Sequence, residues 1–177
     1  MGIDPEFRRE VLDVNIRGDL QFCYQCNRCT DECPIARNAD KPYNPRQLML
    51  TSLLGLKDAI FGAQDNFNVF GCTVCDRCDE VCPGNLALTE VFCLLKNKMA
   101  QMGRAPDAYI GQAKVIADNG KAIPMQPAIE RRRKQMGLND VPAFSVDEVK
   151  TILKETDLAG RVKLTSPAKA AKASGGE

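Results

Sequence analysis

A mostly α-helical chain is predicted by three observations. Helix caps and stop signals recur along the 177 residues, apolar side chains fall at spacings of three and four, and no run alternates as a strand should over more than a few residues.

The elements follow in order. Residues 1–18 are assigned to an N-terminal helical arm. Further on, Asn44 stands as an N-cap, Pro45 takes the first helical position and Gln47 completes a capping box; Met49, Leu50, Leu53 and Leu54 then share helical spacing. Gly55 is the expected stop, with a short helix after it from about Lys57 to Phe61. Thr89 to Met102, closed by Gly103, places Val91, Leu95, Met99 and Met102 on one face, which reads as core. Pro106 to Asn119 ends at Gly120, and Pro127 to Met136 at Gly137. The best-marked helix is the last. Ser145 with Glu148 forms a capping box, Phe144 and Val149 stand at staple positions, and the apolar face continues through Ile152 and Leu153. Ser166 to Glu177, rich in Ala, Lys, Ser and Gly, is expected to be a disordered tail.

Composition narrows the chemistry. With 24 Lys and Arg against 23 Asp and Glu the net charge is +1, which gives no global case for a nucleic-acid or anionic-membrane partner. The chain has no His, which excludes histidine acid–base catalysis and His-containing metal sites. MGIDPEFRREVLD at the amino terminus is charged and is no secretory signal, and no apolar run approaches the ~18–20 residues of a membrane span. A cytoplasmic location is therefore expected. In that reducing compartment nine clustered cysteines point to metal binding or redox chemistry rather than to a disulfide framework.

Eight of the nine form an internal repeat. Cys23-x2-Cys26-x2-Cys29-x3-Cys33-Pro34 recurs as Cys72-x2-Cys75-x2-Cys78-x3-Cys82-Pro83. This is the spacing of two-cluster ferredoxins, in which three thiolates of a run hold one cluster and the fourth reaches across to the other. Cys23, Cys26, Cys29 and Cys82 are accordingly assigned to one 4Fe-4S cluster, and Cys72, Cys75, Cys78 and Cys33 to a second. Zinc sites of four cysteines usually show two C-x2-C knuckles around a longer insert, which fits this pattern poorly. The 38 residues between Cys33 and Cys72 favour an α-helical ferredoxin-like two-cluster domain over a compact βαβ one. That domain is drawn at residues 19–103, with a C-terminal helical extension at 104–165 for partner docking.

The sequence also resembles a known family. Phe22-Cys23-Tyr24-Gln25-Cys26, Leu54-Gly55-Leu56-Lys57-Asp58, Gly120-Lys121-Ala122-Ile123-Pro124 and the helix from Val146 to Thr156 are similar to the C subunit of heterodisulfide reductase, over about residues 20 to 164. The resemblance implies a two-cluster electron conduit. Its implied partners are a flavin-bearing, bifurcating A subunit and a B subunit that reduces the mixed disulfide of coenzyme M and coenzyme B, assembled in methanogens with a hydrogenase or formate dehydrogenase. Similar proteins serve sulfate reducers and sulfur oxidisers. Another oxidoreductase, of sulfur-oxidation or succinate dehydrogenase type, and a purely structural metal module are the alternatives.

Several absences fit a conduit. There is no G-x-G-x-x-G, no P-loop and no Cys-Cys-Gly sequence, so no substrate or nucleotide site is encoded that the residues reveal. Cys93 lies outside both runs, roughly opposite the Val91, Leu95 and Met99 stripe, and is read as a packed apolar residue with Lys96 nearby. Residues 19–40 and 72–90 are net acidic, whereas Arg131-Arg132-Arg133-Lys134 and the segment from Arg161 are basic. No aromatic residue interleaves the Arg run, so it reads as a solvated helix face or a docking patch and not as a nucleic-acid site.

Overall fold

Helices begin where a side chain satisfies the first free backbone donors. Asp4 Oδ1 accepts from the Phe7 N–H at 2.9 Å, Asn44 Oδ1 from Gln47 N–H at 2.9 Å and Ser145 Oγ from Glu148 N–H at 3.2 Å. The computed structural model describes residues 2–14, 16–17, 19–141 and 145–162, and every regular element among them is helical. In order these are α1 (Pro5–Val14), a 3₁₀ turn (Leu20–Phe22), α2 (Arg28–Asp31), α3 (Pro34–Asn38), α4 (Pro45–Leu53), α5 (Lys57–Phe61) and α6 (Phe67–Phe70). There follow α7 (Arg77–Glu80), α8 (Leu88–Gln101), α9 (Asp107–Asn119), α10 (Pro127–Gln135), α11 (Val146–Glu155) and α12 (Leu158–Arg161). The chain divides into two compact units, 1–105 and 106–177.

In the first unit α1, α4 and α8 pack on one another. Phe7 and Val11 of α1, Leu48 and Met49 of α4, and Val91, Phe92, Leu95 and Met99 of α8 are buried together. The N-terminal segment drawn as a separate arm thus contributes helix α1 to this core. Asp4 N–H donates to Gly55 O at 2.8 Å, Arg8 Nε to Leu53 O at 3.0 Å, and Phe7 meets Phe61 edge-on at 5.8 Å. Of the four residues placed on the apolar face of α8, three are buried; Met102 follows the last helical turn and is exposed. At the far end of α8, Arg104 donates to the carbonyls of Phe61 and Ala63 and to Asn66 Oδ1, closing the loop between α5 and α6 onto the helix.

The second unit has the anticipated helices. Gly120 and Gly137 end α9 and α10, and α11 packs on α9 and on α12. None of its described helices buries a side chain fully. Ile152, placed on an apolar face, is 59% exposed. Phe144 of the expected staple and the tail from Ser166 lie outside the described residues.

Candidate metal centres

Each cysteine run opens with the same unusual backbone. The residues flanking the second cysteine have positive φ in both runs: Gln25 at 54° and Asn27 at 69°, Val74 at 55° and Asp76 at 58°. Asn and Asp adopt this conformation readily, but for a β-branched valine it is strained, at about 1–3 kcal/mol. Turns of this kind aim backbone N–H groups into a concavity that holds anions, iron–sulfur clusters among them. A one-turn helix then carries the third cysteine, Cys29 in α2 and Cys78 in α7, and ends before the fourth. Pro34 starts α3 immediately after Cys33. The helices α2 and α7 pack side by side, joined by Arg77 to Glu32 at 2.9 Å, so the two runs are neighbours.

That neighbourhood mixes the thiols. Cys23, Cys26, Cys29 and Cys82 line one cavity of about 370 Å³, counted with the solvent at its mouth. Cys33, Cys72, Cys75 and Cys78 line another of about 310 Å³. Every residue assigned as a ligand from the sequence is thus found at one of two cavities, in groups of three plus one. The four thiols of each group ring a volume, and among the described residues no three His, Cys, Asp or Glu side chains converge on a single-ion site. Two longer helices begin between the cavities. Leu88 of α8 lines the first and Thr89 the second, while Pro45 of α4 lines the second and Arg46 the first. Their N-termini contribute positive potential where anionic clusters belong.

The two sites differ in solvation. Around the first, Cys26 is exposed and Cys23, Cys29 and Cys82 are half-buried; around the second, Cys33, Cys72 and Cys78 are buried and only Cys75 is exposed. Burial, followed by the neighbouring Cys23, pushes the Cys29 thiol up to about 11. Burial likewise pushes Cys78 up, against the Thr89 hydroxyl 3.7 Å from its sulfur. Such thiols hold their protons until bound iron supplies compensating charge. Backbone donors already address the sulfurs: Val74 N–H to Cys72 Sγ at 3.4 Å and Leu86 N–H to Cys82 Sγ at 3.5 Å. Tyr43, lining the second cavity, has a buried hydroxyl with no hydrogen-bond partner among the described residues. Burial and then the surrounding Cys72, Cys33 and Cys78 raise its pKa. A group rich in acceptor sulfur answers that orphaned donor, so the residues present fit a cluster.

Sequence reasoning did not single out Tyr43, Thr89 or Arg46, and noted Lys96 only beside Cys93. One signal was available: Lys96 stands between Phe92 and Met99 on the apolar face of α8, where a lysine is out of place. Cys93 belongs to neither thiol group; it is half-buried, and burial raises its pKa against the pull of Lys96.

Comparison with known proteins decides the family. The 4Fe-4S dicluster domain family matches residues 19–86. The C subunit of the H(2):CoB-CoM heterodisulfide,ferredoxin reductase of Methanothermobacter marburgensis is 31% identical over 161 residues, covering 87% of this chain and 83% of that protein. The second C-type iron-sulfur subunit of the CoB--CoM heterodisulfide reductase of Methanocaldococcus jannaschii is 33% identical over 151 residues, 82% of this chain and 78% of its own. The chain belongs to the family of heterodisulfide reductase C subunits. A third relative, the protein of Archaeoglobus profundus named for its likeness to the heterodisulfide reductase C subunit, is 30% identical over 146 residues, 79% of this chain and 74% of its own. As a member of this family the chain is an iron–sulfur electron-transfer component of an oxidoreductase, with two 4Fe-4S clusters. Among its described residues no helix is long and apolar enough to cross a membrane.

Proposed function

We propose that this protein relays electrons, in the cytoplasm, from a flavin-bearing, bifurcating A subunit to a disulfide-reducing B subunit, in an assembly that draws electrons from a hydrogenase or formate dehydrogenase. One observation carries the reading. Each cavity is lined by three thiols of one run and the fourth of the other, which supports ligation by Cys23, Cys26, Cys29 and Cys82 at one centre and by Cys72, Cys75, Cys78 and Cys33 at the second. Bound there, 4Fe-4S clusters supply one-electron redox chemistry. The chain's own residues position and insulate. Arg77 ties the second loop to Glu32 of the first, where Arg37 also pairs, and Leu86, Leu88, Phe92 and Tyr43 keep water from the inner sides of the cavities.

Catalysis is left to the partners, because disulfide reduction takes two electrons and a site for the half-reduced sulfur, and the eight thiols are committed to iron. The helices of 106–162, which bury no side chain fully, serve as the docking extension.

The ligand assignment is tested by paramagnetic spectra of single variants. Cys33→Ser should alter the centre that Cys75→Ser alters, and Cys82→Ser the one that Cys26→Ser alters; the opposite pairing refutes the crossed arrangement. Cys93→Ala should keep both centres and about eight irons. The relay itself is tested by reconstitution with candidate partner subunits. Heterodisulfide turnover by the chain alone would refute it.

A further inference from the structure

The two halves that build the centres differ in charge at one largely buried helix position. Both α4 and α8 start between the cavities, and the ninth residue of each is Leu53 in α4 and Lys96 in α8. Lys96 is only 9% exposed, on the same face as Phe92 and Met99 at 1% and 0%. Its ammonium donates to the backbone carbonyl of Cys72. One and two turns back along that face Phe92 and Thr89 line the second cavity, so Lys96 follows the cavity wall on the same stripe of α8. Tyr43, 6% exposed, brings its orphaned hydroxyl to the same cavity.

The charges around this centre can be weighed. Covalent geometry keeps a cysteine sulfur within about 5 Å of its own carbonyl oxygen, so an ammonium hydrogen-bonded to that oxygen lies within about 8 Å of Cys72 Sγ. A fixed ammonium at this range adds positive potential at a thiolate-ligated cluster, whose own charge is negative. Asp79 pulls the other way: its Oδ1 lies 3.4 Å from Cys78 Sγ and caps α8 by accepting from Thr89 N–H at 3.1 Å. At the first centre the equivalent capping acceptor is the neutral Thr30, whose Oγ1 accepts from Arg46 N–H at 3.3 Å. The cations lining the first centre are the exposed Arg28 and the half-buried Arg46, the latter held by Asn27 Oδ1 at 3.0 Å and Gln25 Oε1 at 3.2 Å. The second centre is also lined by the exposed, oppositely charged Asp76 and Arg77; solvent and salt screen all of these more than Lys96.

We infer that Lys96 is a positioning and tuning residue that raises the reduction potential of the centre at Cys33, Cys72, Cys75 and Cys78, with the Tyr43 hydroxyl adding a smaller increment through hydrogen bonding to sulfur. The inference rests on the ligand assignment proposed above. The step it tunes is the addition of one electron to that centre from an external reductant, with no bond made or broken; the reduced centre is one charge more negative, so a fixed nearby cation favours it. At an effective dielectric near 20, a unit charge at this range favours reduction at least tenfold, which for one electron is about 59 mV.

The experiment uses the full chain with its clusters, titrated against dithionite while the paramagnetic signal of each centre is followed. The signal of the second centre is identified beforehand as the one that Cys75→Ser alters, and Cys33→Ser and Cys82→Ser report separately on crossed ligation. Lys96→Gln keeps a donor to the Cys72 carbonyl but removes the charge; Lys96→Met removes both. Both should lower the midpoint of the second centre by the equivalent of at least tenfold and leave the first in place, while Lys96→Arg restores most of the shift. Tyr43→Phe should lower the same midpoint by less. An unchanged midpoint in Lys96→Gln, an equal shift of both centres, or loss of iron from both neutral variants would overturn the inference.

Discussion

Helices α8 and α11 obey the same local rules and meet different fates. Each carries an apolar stripe, and each has its backbone ends satisfied by nearby groups. Seven residues of α8 are buried, from Leu88 to Met99, and the helix spans from the cavities to the Arg104 clasp. The α11 helix buries none; Val146, Val149 and Leu153 are half-covered and Ile152 is exposed. Caps and spacing are thus enough to specify a helix, whereas a core requires three or more elements that bury one another's stripes, as α1, α4 and α8 do. Among the described residues these helices leave apolar side chains half-covered, which is what the docking role proposed above requires.

The largest effect should come from one matched pair of truncations. Leu95 is fully buried, so Leu95→Ala should cost the first unit about 2–5 kcal/mol and accelerate loss of the iron chromophore on heating. Ile152→Ala, at an exposed position, should stay within about 0.5 kcal/mol. Ile152→Asp should likewise leave the chain's unfolding unchanged but reduce its retention by candidate partner subunits in co-purification. A large stability loss from either Ile152 variant would mean that this face is filled from within the chain.

A smaller contrast separates two glycines. Both Gly55, at φ +72°, and Gly137, at φ +66°, end helices in the left-handed region. A methyl group at Gly55 would sit 2.8 Å from Asp4 O and 3.1 Å from Arg8 Cβ, the residues that dock α1, whereas at Gly137 it would meet nothing. Gly137→Ala should therefore cost only the conformational penalty, about 1 kcal/mol, in local helicity. Gly55→Ala should cost more and loosen α1, read as faster amide exchange at Phe7 and Val11. Equal costs would show that close approach adds nothing.

The same contrast explains what could be read from the sequence. Asn44, Ser145, Gly55, Gly103, Gly120 and Gly137 announced helix boundaries because capping is local chemistry, and most ends fell within a residue or two of those signals. The eight cysteines that line the two cavities stood out because they recur at one fixed spacing. Helix α1 was placed but its role in the core was not, since its docking depends on Gly55 and Leu53, far along the chain. The one-turn helices α2 and α7 carry no cap or stripe of their own; the strained turn at Val74 that precedes α7 is imposed by the site and runs against the preference of the residue. Lys96 showed in the sequence only as a lysine out of place on an apolar face, and Tyr43 not at all; the meeting of both with the second centre is made by tertiary packing.

The smallest predicted effect lies at the start of α1. The Phe7 N–H bond chiefly, with lesser help from Lys57 at 3.3 Å, holds the Asp4 carboxyl below its ordinary value of 3.8. A carboxylate whose folded-state pKa is depressed contributes stability above its unfolded value, and that contribution is lost as pH falls through the lower folded value. All of the change therefore lies below about pH 4, and none between pH 5 and 7. Asp4→Asn keeps an acceptor for Phe7 N–H and removes the charge, so it should lower the melting temperature slightly, by the same amount at pH 5 and pH 7, and by less at high salt, where the exposed pair with Lys57 is screened. Asp4→Ala should lower it further at both values, because the cap is lost as well. A gap between wild type and Asp4→Asn that narrows from pH 7 to pH 5 would place the titration above 3.8 and show that the α1 cap is not made.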